Sequence, residues 1–188
     1  MKQYTTYDPE AMAIDAVLKL DSVIREISGA EAKCESLARR CTELPQFIAQ
    51  TGLSMTILFY LSKSDSEIVR QLLNILTSGS DKNSDKIAEE IKQGIKEECE
   101  REGKGYSLSL ALITYALNKI AEHTLSIDTC RFGSVDSSAS LIRNIARCLR
   151  DIRTNRVEMR IEMLLRPYLD TVKRLTEALY KGERGRST

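Results

Sequence analysis

The 188-residue chain has no tryptophan, one histidine, three prolines and three phenylalanines. Without tryptophan and with so little phenylalanine, it offers few platforms for stacking bases, which argues against sequence-specific reading of a single strand. The one histidine, His123, lies beside Glu122 on a helical stretch. A histidine so placed is an ordinary surface or core residue rather than a catalyst. Three prolines and nine glycines leave little turn material for a strand-rich fold. No window reaches the roughly 18 uninterrupted apolar residues of a membrane span. The opening "MKQYTTYDPEAM" lacks the apolar core of a signal peptide, so the expected location is cytoplasmic. Five cysteines (Cys34, Cys41, Cys99, Cys130 and Cys148) are odd in number and include no CxxC pair, against a zinc site and against a secreted disulfide framework. They are expected to be reduced and packed as small apolar groups, with a disulfide left open because thermophiles oxidise some cysteines inside the cell. Gly103 and Gly105 lack the strand and the Lys-Ser/Thr step of a phosphate loop. The pairs Glu89-Glu90 and Glu97-Glu98 read as exposed helix charges rather than metal ligands. No metal, cofactor or catalytic residue is expected.

What is present suits a globular protein: 42% apolar and 29% charged residues, on a chain long enough for one domain and short for two. One domain over 1–188 is expected, its core spanning about 8–181, with polar linkers near 77–86 and 128–140 and a solvated tail at 182–188. Asp8-Pro9 reads as a carboxylate cap before a first-turn proline, opening a helix with Met12, Val17, Leu20, Ile24 and Ile27 on one stripe and Ser28-Gly29 at its end. A second helix is expected over about 30–40. Thr42 then caps a third with Pro45 in its first turn, and Gly52 ends it in a left-handed conformation. The following "LSMTILFYLSK" is apolar around most of its circumference, as a central helix buried on all sides or a fully buried strand would be. No second run could pair with it as a strand, so a helix is expected.

Asp65 or Ser66 caps the next helix, with Ile68, Val69, Leu72, Leu73 and Leu76 facing inward. A thinly apolar surface helix carries Ile87, Ile91 and Ile95. Tyr106, Leu110, Ile113, Leu117 and Ile120 step by four and three along a core-facing helix from 106 to 127. A basic helix follows the 128–140 linker, then a long one over about 154–181 that Pro167 kinks or breaks. The predicted architecture is all-α, a compact bundle of six to eight helices with no sheet.

The net charge of +1 conceals an asymmetry: residues 1–130 carry 15 Lys and Arg against 20 Asp and Glu, and residues 131–188 carry 13 against 7. Arg143, Arg147 and Arg150 project from one side of a helix, and Arg153, Arg156 and Arg160 continue the run, turned by about a quarter to a third of a circle. Lys173-Arg174 and Arg39-Arg40 add two pairs. Arginine forks suit phosphate oxygens, and a row spaced by a helical turn can follow a nucleic-acid backbone. On spacing alone, a solvated face partly paired with Asp151, Glu158 and Glu162 is an equal alternative.

Residues 35–63, "ESLARRCTELPQFIAQTGLSMTILFYLSK", resemble the small all-helical subunit of type III-B CRISPR (Cmr, RAMP module) effector complexes. The shared features are a basic pair (Arg39-Arg40), a Pro-led turn (Pro45), a Gly-Leu step (Gly52-Leu53), an apolar helix with a central Phe59, and a closing Lys63. Residues 169–183, "LDTVKRLTEALYKGE", are similar to the family's last helix through Lys173-Arg174 and Ala178-Leu179, and residues 109–123 are compatible with its middle helix. Thr51 and Thr171 depart from the family's usual asparagine and aromatic residue. The resemblance implies a non-catalytic subunit in antiviral defence. Copies of it stack as an inner filament beside the backbone RAMP subunits and the polymerase-like large subunit, along the target RNA paired to crRNA. Arg39, Arg40, Lys63, Arg143, Arg147, Arg150, Arg153, Arg156, Lys173 and Arg174 are the candidate RNA-binding residues. The alternatives are a small subunit of another CRISPR effector contacting a displaced DNA strand, and an independent helical adaptor that binds a protein through its acidic front.

Overall fold

Asp8 starts the first helix as its sequence predicts. Its carboxylate accepts the amides of Glu10 and Ala11 at 3.1 and 3.0 Å, and Pro9 occupies the first helical position, where no amide hydrogen is needed. The structure, a computed structural model, describes residues 7–78, 87–123, 127–132 and 135–181. Among them are eight α-helices and no strand: α1 (Pro9–Ser28), α2 (Glu35–Thr51), α3 (Leu53–Lys63), α4 (Ser66–Thr77), α5 (Glu89–Glu100), α6 (Tyr106–His123), α7 (Ser138–Thr154) and α8 (Glu158–Tyr180), with a short 3-10 turn at Asp128–Cys130. The all-α expectation holds. The tail at 182–188 and most of the 77–86 linker lie outside the described residues. Of the 128–140 linker, the first residues form the 3-10 turn and the last belong to α7.

The element buried on all sides is α6, not the apolar segment 53–63. Every α6 residue from 107 to 118 is buried, and α1, α2, α3, α4, α5 and α8 all pack against it. Several of its buried polar groups are paired: Ser109 Oγ donates to the Gly105 carbonyl at 2.7 Å, and the Leu112 carbonyl accepts from the Tyr168 hydroxyl at 3.0 Å, whereas the buried Thr114 hydroxyl has no partner among the described residues. Helix α3 buries Leu53, Ile57 and Tyr60 but exposes Met55, Leu58 and Phe59, which corrects the expectation of all-round burial. Hydrophobicity without a polar face showed that a face must be covered, not by what.

Pro45, expected in the first turn of a helix, does not mark a boundary, and of the two outcomes expected at Pro167 the break does not occur. Helix α2 runs from Glu35 to Thr51 straight through Pro45, so the helices expected at 30–40 and after Thr42 are one. Pro45 removes only the amide that would reach Cys41, while the buried stripe Leu37, Cys41, Leu44 and Ile48 continues on both sides of it against α8. Thr42 is not a cap: its hydroxyl bonds the Ala38 carbonyl at 2.7 Å and Glu177 on α8 at 2.8 Å. Likewise α8 runs unbroken through Pro167. Gly52 does end α2 at φ +82°, a region disfavoured for side-chain-bearing residues. With ψ 159° it is extended rather than helical, so one residue closes α2 and opens α3 at once.

Glu98 overturns another expectation, that it is an exposed helix charge. It is 3% exposed, and its carboxylate accepts the amides of Gly105 and Ser107 at 2.9 and 3.0 Å, satisfying the positive end of α6. Ser36 Oγ donates to the carbonyls of Glu98 and Cys99 at 2.5 and 2.9 Å, and Cys34 is disulfide-bonded to Cys99. Gly105 makes this junction possible: a Cβ there would lie 2.7 Å from the Ser36 carbonyl. Cys130 and Cys148 form a second disulfide, and Cys41 is a buried free thiol. The expectation of reduced cysteines therefore fails for four of the five, because each bonded pair is brought together only by tertiary folding.

Candidate nucleic-acid interface

Helix α7 carries the arginines. Ser137 caps it, accepting the Ser140 amide at 3.3 Å. Leu141, Ile145, Cys148, Leu149 and Ile152 form its buried stripe. Arg143, Arg147 and Arg150 project on the opposite side, all exposed. The structure thus brings these three together as their spacing predicts. Arg153 closes the last turn, and Arg160 stands on α8.

Arg156 sits between these helices at φ +54°, the one described non-glycine residue with positive φ. Its amide bonds the Arg153 carbonyl at 3.1 Å, and the next amide, that of Val157, reaches back to Ile152 at 3.1 Å. This pattern ends α7 in a left-handed residue, a position normally given to glycine.

Two of the three carboxylates expected to neutralise this run are used elsewhere. Glu158 accepts the Ser54 amide at 2.7 Å, and Glu162 accepts the Leu53 amide at 2.9 Å, so both cap the N-terminus of α3. Asp151 pairs with Arg150 at 3.2 Å. Among the described residues, Arg143, Arg147, Arg153, Arg156 and Arg160 have no ion-pair partner. Arg143 Nε bonds only the Ala139 carbonyl of its own helix, at 3.1 Å.

Polar groups from α4 and α6, which the sequence did not single out, fix where α7 starts. Glu67 accepts the Ser138 hydroxyl at 2.5 Å and is clamped by Arg70, whose Nε lies 3.0 Å from Oε2. Arg70, with help from Gln71 and Ser138, holds the Glu67 carboxyl down to about 2. Arg70 also donates to the Val135 carbonyl at 3.0 Å, the Asn74 side chain bonds the amide of Val135 at 3.3 Å, and Asn118 on α6 accepts the Phe132 amide at 2.7 Å. The Cys130–Cys148 disulfide ties the buried side of α7 to the 3-10 turn. Glu67 and Arg70 carry an i,i+3 signal in the sequence; the asparagines carry none.

The other candidate residues occupy different settings. Arg40 is half-buried in the fold: its guanidinium lies 4.2 Å from the Tyr106 ring centre and bonds Glu43 at 2.6 Å and the Lys104 carbonyl at 3.2 Å. Arg39 is exposed, with Glu102 3.4 Å away. Lys63 is exposed at the end of α3, Arg174 is exposed on α8, and Lys173 beside it is half-buried. Helix α7 packs on α4 and the 3-10 turn, whereas α2 packs on α8, α3, α5 and α6, so the two basic groups stand on helices with different neighbours. Of the motif residues, Pro45 and Gly52 shape α2 and its junction. Leu53 is buried, and Phe59 stacks on Phe47 at 5.7 Å beside Tyr106.

Among the described residues no group of three or more His, Cys, Asp or Glu is placed to hold a metal ion, and no helix is long and apolar enough to cross a membrane. His123 is exposed, 3.9 Å from Glu122. Residues 11–127 match the family described as CRISPR-associated protein (Cas_Cmr5). No curated protein and no solved structure matches the chain.

Proposed function

The chain belongs to the Cas_Cmr5 family of CRISPR-associated proteins, the small subunits of type III-B Cmr complexes, and from that premise we propose that it is a non-catalytic, RNA-contacting subunit. Several copies stand in a row in the cytoplasm, beside the backbone RAMP subunits and the polymerase-like large subunit. They hold target RNA paired to crRNA through its phosphates. The observation that carries this reading is the outward row Arg143, Arg147 and Arg150: of its expected carboxylate partners Asp151 reaches only Arg150, while Glu158 and Glu162 accept amides of α3. Phosphate contacts give affinity without reading bases, which suits a machine whose specificity lies in guide pairing. One copy supplies few such contacts, and copies held in a row gain by avidity. Arg40, bonded within the fold, supports the junction of α2 with α6 rather than the RNA path.

Photo-crosslinking tests this. Target RNA carrying 4-thiouridine, bound to the assembled complex, should crosslink this subunit within α7 and the turn at Arg156. Crosslinks confined to α2 and the end of α3 would place the RNA on another face.

A further inference from the structure

Helix α7 has α4 and the 3-10 turn at Asp128–Cys130 as its main neighbours, and its two halves are held by different means. The start is tied to α4 by polar contacts, Glu67 with the Ser138 hydroxyl and Arg70 and Asn74 with Val135. The second half, which carries Arg147 and Arg150, is joined to the turn by the bond between Cys148 and Cys130. The turn is itself fixed to the core: Asn118 of α6 accepts the Phe132 amide at 2.7 Å, and the Phe132 side chain is buried. A covalent link thus runs from this anchored turn to the helix that presents the arginines.

We infer that the Cys130–Cys148 bond is a redox device for this RNA face: a dithiol reductant loosens the arginine row, and RNA bound to the row protects the bond. The step is a thiol–disulfide exchange. A thiolate of the dithiol attacks one sulfur of the bond, the other cysteine leaves, and the second thiol of the reductant closes its own disulfide. Two electrons pass to the protein, and the two protons of the dithiol end on Cys130 and Cys148. Once the bond is open, Leu149 and Ile152 remain as the buried apolar anchors of the second half. A helix end held by so few buried groups opens locally at small cost, and its arginines must then be ordered again when RNA binds.

Burial makes the coupling run both ways. Cys130 and Cys148 are 2% and 0% exposed, so a reductant reaches the bond only when the turn and α7 part. RNA that pins α7 opposes that parting, and by linkage the factor separating the RNA affinities of the two redox states also shifts the redox equilibrium. The other bond serves as the control. Cys99 lines a cleft with Arg39 and Arg101 at the end of α5, and its bond to Cys34 joins α5 to the start of α2 rather than to α7. This inference rests on the reading of α7 as the RNA path and adds its regulation.

Dithiothreitol is the probe. In the full chain, reduction should speed amide hydrogen exchange in the second half of α7 by at least about tenfold, with less change at its start. In the assembled complex, reduction should weaken target-RNA binding by about fivefold, the scale of re-ordering one or two long side chains. The double variant Cys130→Ala with Cys148→Ala should bind like the reduced complex and ignore dithiothreitol, whereas Cys34→Ala with Cys99→Ala should keep the response. If the first double variant fails to fold, the wild-type complex decides. Alkylation and mass spectrometry of the Cys130 and Cys148 peptides should show that saturating RNA raises their oxidised-to-reduced ratio by the same factor of about five. Unchanged exchange in α7, equal RNA affinity in the two states, or a ratio indifferent to RNA would each overturn the inference. Crosslinks to α7 with no redox effect would overturn it alone and leave the RNA path standing; crosslinks on another face would overturn both.

Discussion

Glu162 on α8 accepts the backbone amide of Leu53 on α3 at 2.9 Å, across 109 residues of sequence. With Glu158 on Ser54, it gives α3 a cap supplied by another helix, because Gly52 has no side chain to provide one. The same two bonds draw acid away from the arginines nearby. Glu162→Ala should lower the unfolding free energy by about 1 kcal/mol, with Glu158→Ala adding a comparable loss, the usual range for a helix cap. Urea denaturation measures it. An unchanged midpoint for the double variant would mean that the caps contribute nothing and that both acids are free to pair with arginine.

Arg156 holds a left-handed conformation at φ +54° that costs a side-chain-bearing residue about 1–2 kcal/mol. Arg156→Gly should therefore raise stability by about 0.5–1 kcal/mol after glycine's entropy is counted, while weakening RNA binding by the complex. Denaturation and binding measured on one variant would show the opposed changes. A fall in stability would mean that the side chain repays its strain within the fold.

Glu67 links α4 to the start of α7. Because Arg70, first among its partners, depresses its folded-state value from the ordinary 4.5 to about 2, the link contributes stability above pH 4.5. That contribution is lost as pH falls towards 2. The stability gap between wild type and Glu67→Gln should stay constant from neutral pH down to about 5 and close below 4.5. A gap independent of pH across that window would remove the carboxylate from the account.

The two disulfides close loops of 65 and 18 residues, worth about 4 and 3 kcal/mol in the chain-entropy account. Reduction should lower Tm clearly. Thiol titration should find Cys41 silent in the native protein, since burial pushes its thiol up to about 12. Denaturation without reductant should expose one thiol, and with reductant all five. Five thiols in unreduced, unfolded protein would contradict both bonds.

How much of this the sequence carried depends on how local each signal was. The stripe Ile68, Val69, Leu72, Leu73 and Leu76 and the cap Asp65 are written within one helix, and α4 forms as they predict. The row Arg143, Arg147 and Arg150 was equally plain. Pro45 misled because a proline removes one hydrogen bond whatever surrounds it, and only the packing of α2 on α8 shows that the helix survives. Glu98 looked like its neighbour Glu97, since nothing nearby announces that the Gly105 and Ser107 amides fold back onto it. The partners of Cys34 and Cys130, and the caps on α3, are long-range facts that no periodicity encodes.

The most direct test of the RNA path is the salt dependence of target-RNA binding by the assembled complex carrying Arg143→Glu, Arg147→Glu and Arg150→Glu. These exposed changes should leave helicity intact and weaken binding. They should also flatten the slope of log affinity against log salt by about 0.7 for each phosphate that the arginines no longer neutralise. A slope equal to that of wild type would show that this face of α7 does not touch the RNA.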